Sequence, residues 1–590
     1  MLNFACLITL IIMKSLISIL MAGMSLFPAE AHVKNIVSGD LHWVGMRPAA
    51  DCPVSLGIPF LKGELDAAGS VCLQDDKGTV IPSDCWPLAY WPDGSVKWAG
   101  MAAVIPAGAD DIRFTTVRKK KKTEQAEAET VQVAETSSSL TVSTGRVRAY
   151  IPRRGGRLID SLFVNGCKVG GAARLLCSTQ DHPSVEGIAS LRFSDYCGEV
   201  ERVTVERAGH IRTLVRIEGH YTDGKGRKWL PFTVRLYFYA GSEQIRMVHT
   251  FIFDGDMNRD FIRSLGVRFE VPMREAVYNR HVAFATADGG VWAEPVQPLN
   301  GRRVLTLDGD KSWQARQMRG ERVPEYEKFD AKNRHLIDHW AVWGGYRLSQ
   351  LTADAFSIRK RTHAGRPWIG TFSGSRAPGY VFAGDVSGGL GVGVKDFWQS
   401  FPVALQVDSA ASRNAFLTVW MWSPDAEPMD LRHYDYTAHD LEASYEDVQE
   451  GMSTPYGVAR THTLTLVPSA AYGGKAEVAQ TAAMLAEDAP LLCTPEYLHS
   501  RHAFGVWSLP DQSNPRRAKV EERLEDYLNY YVKAVDDHRW YGFWNYGDFM
   551  HTYDSVRHTW KYDVGGYAWD NTELASNMWL WYSFLRAGRA

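Results

Sequence analysis

Apolar and polar positions alternate in short runs over most of the chain, the period-two signature of strands with one buried face. From His32 to about Val117 the pattern is β-like. Within it, Trp91-Pro92-Asp93-Gly94-Ser95-Val96-Lys97-Trp98 sets an Asp-Gly turn between hydrophobic flanks, which predicts a hairpin. Residues 131–470 continue with runs such as Ser139-Leu140-Thr141-Val142-Ser143, Leu214-Val215-Arg216-Ile217 and Phe232-Thr233-Val234-Arg235-Leu236-Tyr237-Phe238. Such a series predicts a large antiparallel β-sandwich. Around Gly473 the period changes. Apolar residues spaced by three and four predict helices over Lys475–Asp488 and Lys519–Asp536, and an aromatic amphipathic helix over Thr572–Leu585 with Asn571 as N-cap. Two or three such helices cannot bury their aromatic faces alone, so either they pack on the sandwich or the chain is part of something longer.

The segment before the first strands has a different character. After Lys14 comes a mostly apolar run, Leu16–Phe27, and then Ala29-Glu30-Ala31, a small-x-small cleavage pattern. Met13-Lys14 makes a more regular start than Met1. Read as a membrane anchor, the segment would hold Lys14 mid-span at a cost of about 2.5–3.5 kcal/mol. The expectation is therefore a cleaved leader, a secreted or periplasmic protein, and no stable membrane span after the leader is removed. Farther on, Arg118-Lys119-Lys120-Lys121-Lys122 is followed by Thr123-Glu124-Gln125-Ala126-Glu127-Ala128-Glu129. Plus followed by minus reads as a solvated linker, with a polyanion-binding patch as the alternative. The expected organisation is a leader over 1–31, a β domain over 32–130, a sandwich over 131–470 and a helical region over 471–590.

Composition narrows the function classes. A chain of 590 residues has room for three or four domains, and 65 basic against 68 acidic residues leave no global field for nucleic acid. Cys52, Cys72, Cys85, Cys167, Cys177, Cys197 and Cys493 remain after the leader. They are odd in number, thinly spread and without C-x-x-C spacing, which argues against a disulfide framework or structural zinc and leaves room for one or two bridges. The chain has no G-x-S-x-G, H-E-x-x-H, P-loop or G-x-G-x-x-G motif. Gly388-Gly389-Leu390-Gly391-Val392-Gly393 fits a close-packed strand. Asp254-Gly255-Asp256-Met257-Asn258 begins like a calcium loop, but Arg259 and Leu265 stand where glycine and a bidentate carboxylate are needed, so a hairpin tip is the better reading. No metal and no cofactor is expected.

Aromatic residues are the surplus: 12% of the chain, with 20 Trp. Two segments combine them densely with polar groups. One runs from Ser357-Ile358-Arg359-Lys360-Arg361-Thr362-His363 to Gly374-Ser375-Arg376-Ala377-Pro378-Gly379. The other is residues 540–590, where 15 of 51 residues are aromatic. Rings beside Asn, Asp, His and Arg suit a sugar, whose C–H faces pack on rings while its hydroxyls need placed partners. The bland alternatives are a Trp-rich core and, for Arg359-Lys360-Arg361, a wet strand face.

Several strings resemble a known family: Phe397-Trp398-Gln399-Ser400, Trp422-Ser423-Pro424-Asp425-Ala426-Glu427-Pro428-Met429-Asp430-Leu431-Arg432, Ile358-Arg359-Lys360-Arg361-Thr362, Trp544-Asn545-Tyr546-Gly547-Asp548 and Gly565-Gly566-Tyr567-Ala568-Trp569-Asp570-Asn571. From about residue 35 to the end, the chain is similar to the exo-rhamnogalacturonan lyases (polysaccharide lyase family 26) and the YetA-like group. The resemblance implies a multidomain β + α fold: an N-terminal RIFT-type β-barrel, a central antiparallel β-sandwich and the first helices of a C-terminal α/α toroid that continues further in the family. It also implies β-elimination at a uronic acid beside rhamnose in pectin. That chemistry needs a cation for the carboxylate, a base for the weakly acidic C5 proton and an acid for the leaving oxygen. Arg359, Arg361 or Arg376 suits the first role by its bidentate fork, and His551, Lys360 or Tyr553 the second or third. Trp544, Asn545, Tyr546, Asp548, Arg557, His558, Tyr567, Trp569 and Asn571 are the candidates for holding an oligo- or polysaccharide. Three alternatives stay open: a lyase for rhamnose–glucuronate linkages of gum-type glycans, a glycoside hydrolase using a pair among Asp548, Asp554, Asp570 and Glu573, and a non-catalytic carbohydrate-binding protein. The oligomeric state is open too.

Overall fold

The Asp-Gly turn forms as expected. Strands Ser83–Tyr90 and Val96–Ile105 pair antiparallel, and Gly94 takes the positive φ the turn needs, its N–H bonding the Trp91 carbonyl at 2.9 Å. The structure is a computed structural model and describes residues 36–109, 111–117, 129–184, 190–300, 312–432, 454–486, 489–545, 547, 549–550, 553–554, 559–560, 569–570 and 575–589. The expected leader and the Lys-rich linker lie outside these residues.

With Cys52–Pro59 the hairpin makes a three-stranded sheet. It faces a second sheet in which Ser38–Trp43, Arg113–Val117, Ser70–Gln74 and Val80–Ile81 lie side by side over a core of Ile58, Phe60, Leu73, Met101 and Phe114. The far end of the chain completes this domain. Leu491–Cys493 adds an antiparallel strand beside Ser38–Trp43, with Leu41 opposite Cys493. The following helix, Pro495–Ser500, is capped by Thr494 and seats Tyr497 in the same core. There the Tyr497 hydroxyl donates to the Pro59 carbonyl at 2.8 Å, and its ring meets Phe114 edge-on at 5.0 Å.

The sandwich consists of two antiparallel layers, joined along one edge where Cys167–Gln180 also pairs with Phe193–Ala208. In one, Cys167–Gln180, Phe261–Pro272, Asn414–Trp422, Val403–Asp408, Gly345–Thr352, Ala355–Arg361 and Ile369–Gly374 lie in that order. In the other the order is Phe193–Ala208, Arg212–Thr222, Lys228–Tyr239, Ile245–Ile252, Ala459–Ser469, Gly388–Val394, Tyr380–Asp385, Arg280–Ala285 and Val291–Pro295. Between them lies one core, to which Val267, Leu348, Ile358, Leu405 and Leu417 contribute from the first sheet and Val234, Leu236, Met247 and Leu464 from the second. The Gly-rich run is the fully buried strand Gly388–Val394. The calcium-like segment joins two strands, and its Asp254 carboxylate accepts from the Leu230 N–H at 2.6 Å. Asp84 fastens the first domain to the sandwich by accepting from the N–H groups of His210, Ile211 and Arg212. All seven cysteines from Cys52 onward are free, so the room left for bridges is not used.

The helices form with shifted ends. Gly474–Ala486 packs on the sandwich through Val478 and Ala482. Pro515–His538 starts four residues before the expected Lys519, because Asn514 caps it by accepting from the N–H groups of Arg516 and Arg517. The last helix is Ser576–Ala587, and Asn571, expected as its cap, lies outside the described residues. Val520, Leu524, Tyr527, Tyr530, Met578 and Trp581 stay exposed, so these helices bury only part of their apolar faces. Among the described residues no helix is long and apolar enough to cross a membrane.

Three histidines lie in apolar surroundings. His249 and His462 are directly opposite each other on neighbouring core strands, and His281 stacks on Tyr472 at 4.3 Å. Burial lowers the pKa of His249 and His281 from 6.5 to about 3 and holds His462 well below 6.5. Each imidazole is therefore neutral when folded and titrates near 6.5 when unfolded. Stability is full above pH 6.5 and is lost as pH falls through the window down to about 3, where the unfolded chain binds more protons. Urea denaturation at several pH values should show this slope, and His249→Leu should flatten it; identical slopes in the two proteins would contradict the assignment.

Candidate functional site

In a strand, alternate residues face opposite sides, and this decides the fate of Arg359-Lys360-Arg361. Arg359 and Arg361 project from the sheet face turned away from the core. Lys360 turns to the other side, where its ammonium meets both oxygens of Glu294 at 2.5 and 2.7 Å and lies 3.9 Å from the centre of the Trp343 ring. Burial raises the Glu294 pKa although Lys360 opposes the shift. Lys360 is thus held in an ion pair at the rim of the core, away from the two arginines.

On the outer face, Arg347 stands directly opposite Arg359 on the neighbouring strand. Like charges so placed repel, and Asp425 compensates them. One of its oxygens takes Arg347 at 2.5 Å, and the other takes Arg359 together with the Ser349 hydroxyl at 2.6 Å. Arg361 pairs with Asp408 at 2.9 Å. Arg347 also donates through Nε to Gln406 at 2.8 Å, and Trp420 donates to the same amide oxygen at 2.8 Å. Burial lowers the Arg347 pKa, and Asp425 works against that shift. Trp368 covers the group: the guanidinium carbons of Arg347, Arg359 and Arg361 lie 4.9, 5.9 and 4.2 Å from its ring centre. Three cations meet two carboxylates beneath a half-exposed indole. This arrangement can take a further carboxylate.

Arg376 lies at a different place. It pairs with Asp354 at 2.8 Å and with Asp536 of the long helix at 2.7 Å, and Arg539 pairs with the same Asp354. These four charges alternate in sign and clamp the helix end to the sandwich. Hydrogen bonds from Arg539 and Arg376, respectively, hold the Asp354 and Asp536 carboxyls below their ordinary pKa. Arg376 also stacks on Trp398 at 4.1 Å and borders a cavity of about 270 Å³, along with Thr286, Asp288, Asp396 and Gln399. Asp288 and Asp396 both sit in left-handed backbone, φ 56° and 52°.

The aromatic segment after Trp540 begins as core. Gly542 and Phe543 donate N–H groups to the Gln399 and Phe401 carbonyls, which drives the Phe543 ring to 5.1 Å from His462 and 5.3 Å from Trp422. Half-buried Trp544 packs at the edge of the same cluster, and the Asn545 amide bonds the Trp540 carbonyl at 3.0 Å. Tyr546, Asp548, His551, Arg557, His558, Tyr567 and Asn571 lie outside the described residues, as do the side chains of Tyr553 and Trp569. Sequence reasoning missed Arg347, Trp368, Asp408 and Glu294, and it quoted Asp425 without giving it a role. Arg347 had a usable signal, since Tyr346-Arg347-Leu348-Ser349 alternates as Arg359-Lys360-Arg361 does.

Comparison with known families places the whole described architecture. Residues 37–119 match the PcRGLX-like N-terminal RIFT barrel domain, 131–483 the PcRGLX-like protein central beta sandwich domain and 488–590 the PcRGLX-like protein C-terminal alpha/alpha toroid domain. The chain belongs to the PcRGLX-like family. Its fold is accordingly an N-terminal RIFT barrel, a central β-sandwich and α/α-toroid helices. The chain is 34% identical over 562 residues to the uncharacterized protein YetA of Bacillus subtilis (strain 168), covering 93% of this chain and 63% of that protein's length. Among solved structures, an α-mannosidase from Enterococcus faecalis overlaps 79% of this chain and 46% of its own at TM-score 0.37 and 10% identity. A putative aldose 1-epimerase from Klebsiella pneumoniae overlaps 61% of this chain and 87% of its own at TM-score 0.27 and 11% identity.

Asp425→Ala should leave Arg347 and Arg359 facing each other without a carboxylate and cost about 3 kcal/mol, with Asp425→Asn costing less because it keeps acceptor capacity. Chemical denaturation of the full chain measures this. An alanine variant as stable as the parent would show that Asp425 does not hold the cluster.

Proposed function

We propose that this protein is a polysaccharide lyase that cleaves a rhamnogalacturonan-type acidic glycan by β-elimination, with the guanidinium cluster beneath Trp368 taking the uronate carboxylate. One observation carries the reading: Arg347, Arg359 and Arg361 share an indole and outnumber Asp408 and Asp425. A guanidinium fork matches a carboxylate bidentately and neutralises it, so less charge builds up when C5 loses its proton. The base takes that proton, the C–H electron pair becomes the C4–C5 double bond, the C4–O bond breaks, and an acid returns a proton to the leaving oxygen. His551 and Tyr553 are assigned to these two proton transfers. Trp368 offers an apolar face to the sugar ring. A leader over residues 1–31 fits export to where polymeric glycans are met.

Incubation with rhamnogalacturonan oligosaccharides should raise ultraviolet absorbance as the conjugated double bond forms. Arg359→Ala should lower kcat/KM by roughly a hundredfold. Cleavage without new absorbance would mark a hydrolase, and binding without cleavage by the folded protein would mark a carbohydrate-binding protein.

A further inference from the structure

Between strands Arg280–Ala285 and Val291–Pro295 the chain turns through Thr286-Ala287-Asp288-Gly289-Gly290, closed by the Thr286 N–H on the Gly290 carbonyl at 2.8 Å. Thr286 stands at the N-cap position of the short turn Ala287–Gly289. A threonine there ordinarily accepts from the turn's own N–H groups, yet this side chain makes no cap hydrogen bond. The residue is 4% exposed, and its hydroxyl has no hydrogen-bond partner among the described residues. Gly290 leaves the hydroxyl its place, since a Cβ there would lie 2.5 Å from Oγ1. A buried hydroxyl without a partner costs free energy, so a group from outside the protein is needed to satisfy it. Thr286 lines the cavity of about 270 Å³ that Arg376 borders.

One wall of that cavity is a face of the helix Gly474–Ala486. Ala479, Ala482, Ala483 and Ala486 line it at the i, i+3, i+4, i+7 spacing, so this wall consists of methyl groups and leaves room beside it. The polar lining has open hydrogen-bonding capacity. Arg376 is held in place through Nε by Asp354 and through Nη2 by Asp536, with its guanidinium carbon 4.1 Å from the Trp398 ring centre. Its Nη1 makes no hydrogen bond among the described residues. Asp288 and Asp396 are exposed, and among the described residues their carboxylates form no ion pair or hydrogen bond. The cavity is smaller than the ~300–1,000 Å³ pockets that enclose drug-sized ligands, so it suits a single ring. Asp354 and Asp536 already match Arg376, which leaves Asp288 and Asp396 as net negative charge, unfavourable to a carboxylate.

We propose that this cavity binds one neutral sugar unit and is a site of its own, built from none of the residues of the cluster beneath Trp368. This rests on the reading of the ligand as a glycan, and not on elimination chemistry. A sugar ring requires the combination found here. Its hydroxyls donate to the carboxylates of Asp288 and Asp396 and accept from Arg376, the Thr286 hydroxyl gains the partner it lacks, and the C–H groups lie against the alanine wall.

Saturation-transfer NMR of the full chain tests this, with L-rhamnose, D-galactose, D-glucosamine and D-galacturonate as probes. At least one of the two neutral sugars, rhamnose or galactose, should bind. Ala483→Leu fills the cavity from an exposed helix position that leucine suits, so neutral-sugar affinity should fall at least tenfold at an unchanged melting temperature. Thr286→Val removes a hydroxyl that has no protein partner. Its melting temperature should stay level or rise, while neutral-sugar affinity falls about fivefold. Failure of both neutral sugars to bind would overturn the site, as would parental affinity in either variant. Glucosamine or galacturonate bound more tightly than the neutral sugars, and lost in Ala483→Leu, would overturn the neutral assignment. Galacturonate reads the cluster beneath Trp368 separately: its binding should fall in Arg359→Ala and persist in Ala483→Leu. Neutral-sugar binding lost in Ala483→Leu, with galacturonate binding indifferent to Arg359→Ala, supports this site and removes the role given to the cluster. The converse pattern removes this site and keeps that role.

Discussion

Arginines on adjacent strands share one face of a single sheet, and such like charges must be compensated or the sheet loses stability. The alternation of side chains along a strand leaves little freedom here, because the other face of the same strands is committed to the sandwich core. Leu348, Ile358, Leu405 and Val267 face inward, so Arg347, Arg359, Gln406 and Arg268 must face outward. Asp425 is therefore central. It arrives on the loop after Trp422, anchored by the Ser423 N–H to the Pro402 carbonyl at 3.0 Å, and meets two strands at once. A candidate site grows out of this constraint, since the acids present are too few for the cations they serve.

The remaining architecture fixes that face in place. Phe543 plugs one end of the sandwich core, and the alternating charges of Arg376, Asp354, Arg539 and Asp536 clamp the long helix beside it. At the other extreme, Leu491–Cys493, Tyr497 and Leu585 enter the core of the RIFT barrel. The toroid helices are thus built into both domains that precede them. Truncating the chain after the sandwich would strip the barrel of a strand and of part of its core.

The fold was legible where one signal acts alone. Period-two alternation, the Asp-Gly turn at Asp93-Gly94 and the change of period near Gly473 each depend on local sequence, and the structure follows them. Helix ends were less legible, since a cap such as Asn514 lies outside the apolar pattern that predicts the helix. The site was half legible. The arginines at 359 and 361 stand out in a six-residue window, and alternation already separates Lys360 from them. Their partners do not stand out: Glu294 lies 66 residues before Lys360, and Asp425 lies 66 residues after Arg359.

A crystal structure of the protein with a bound acidic oligosaccharide measures the central claim directly. The account places a uronate carboxylate within hydrogen-bond distance of the guanidiniums of Arg347, Arg359 or Arg361, with its sugar ring against Trp368. An oligosaccharide bound with its carboxylates elsewhere, for example only in the recess beside Trp398 and Arg376, would contradict it.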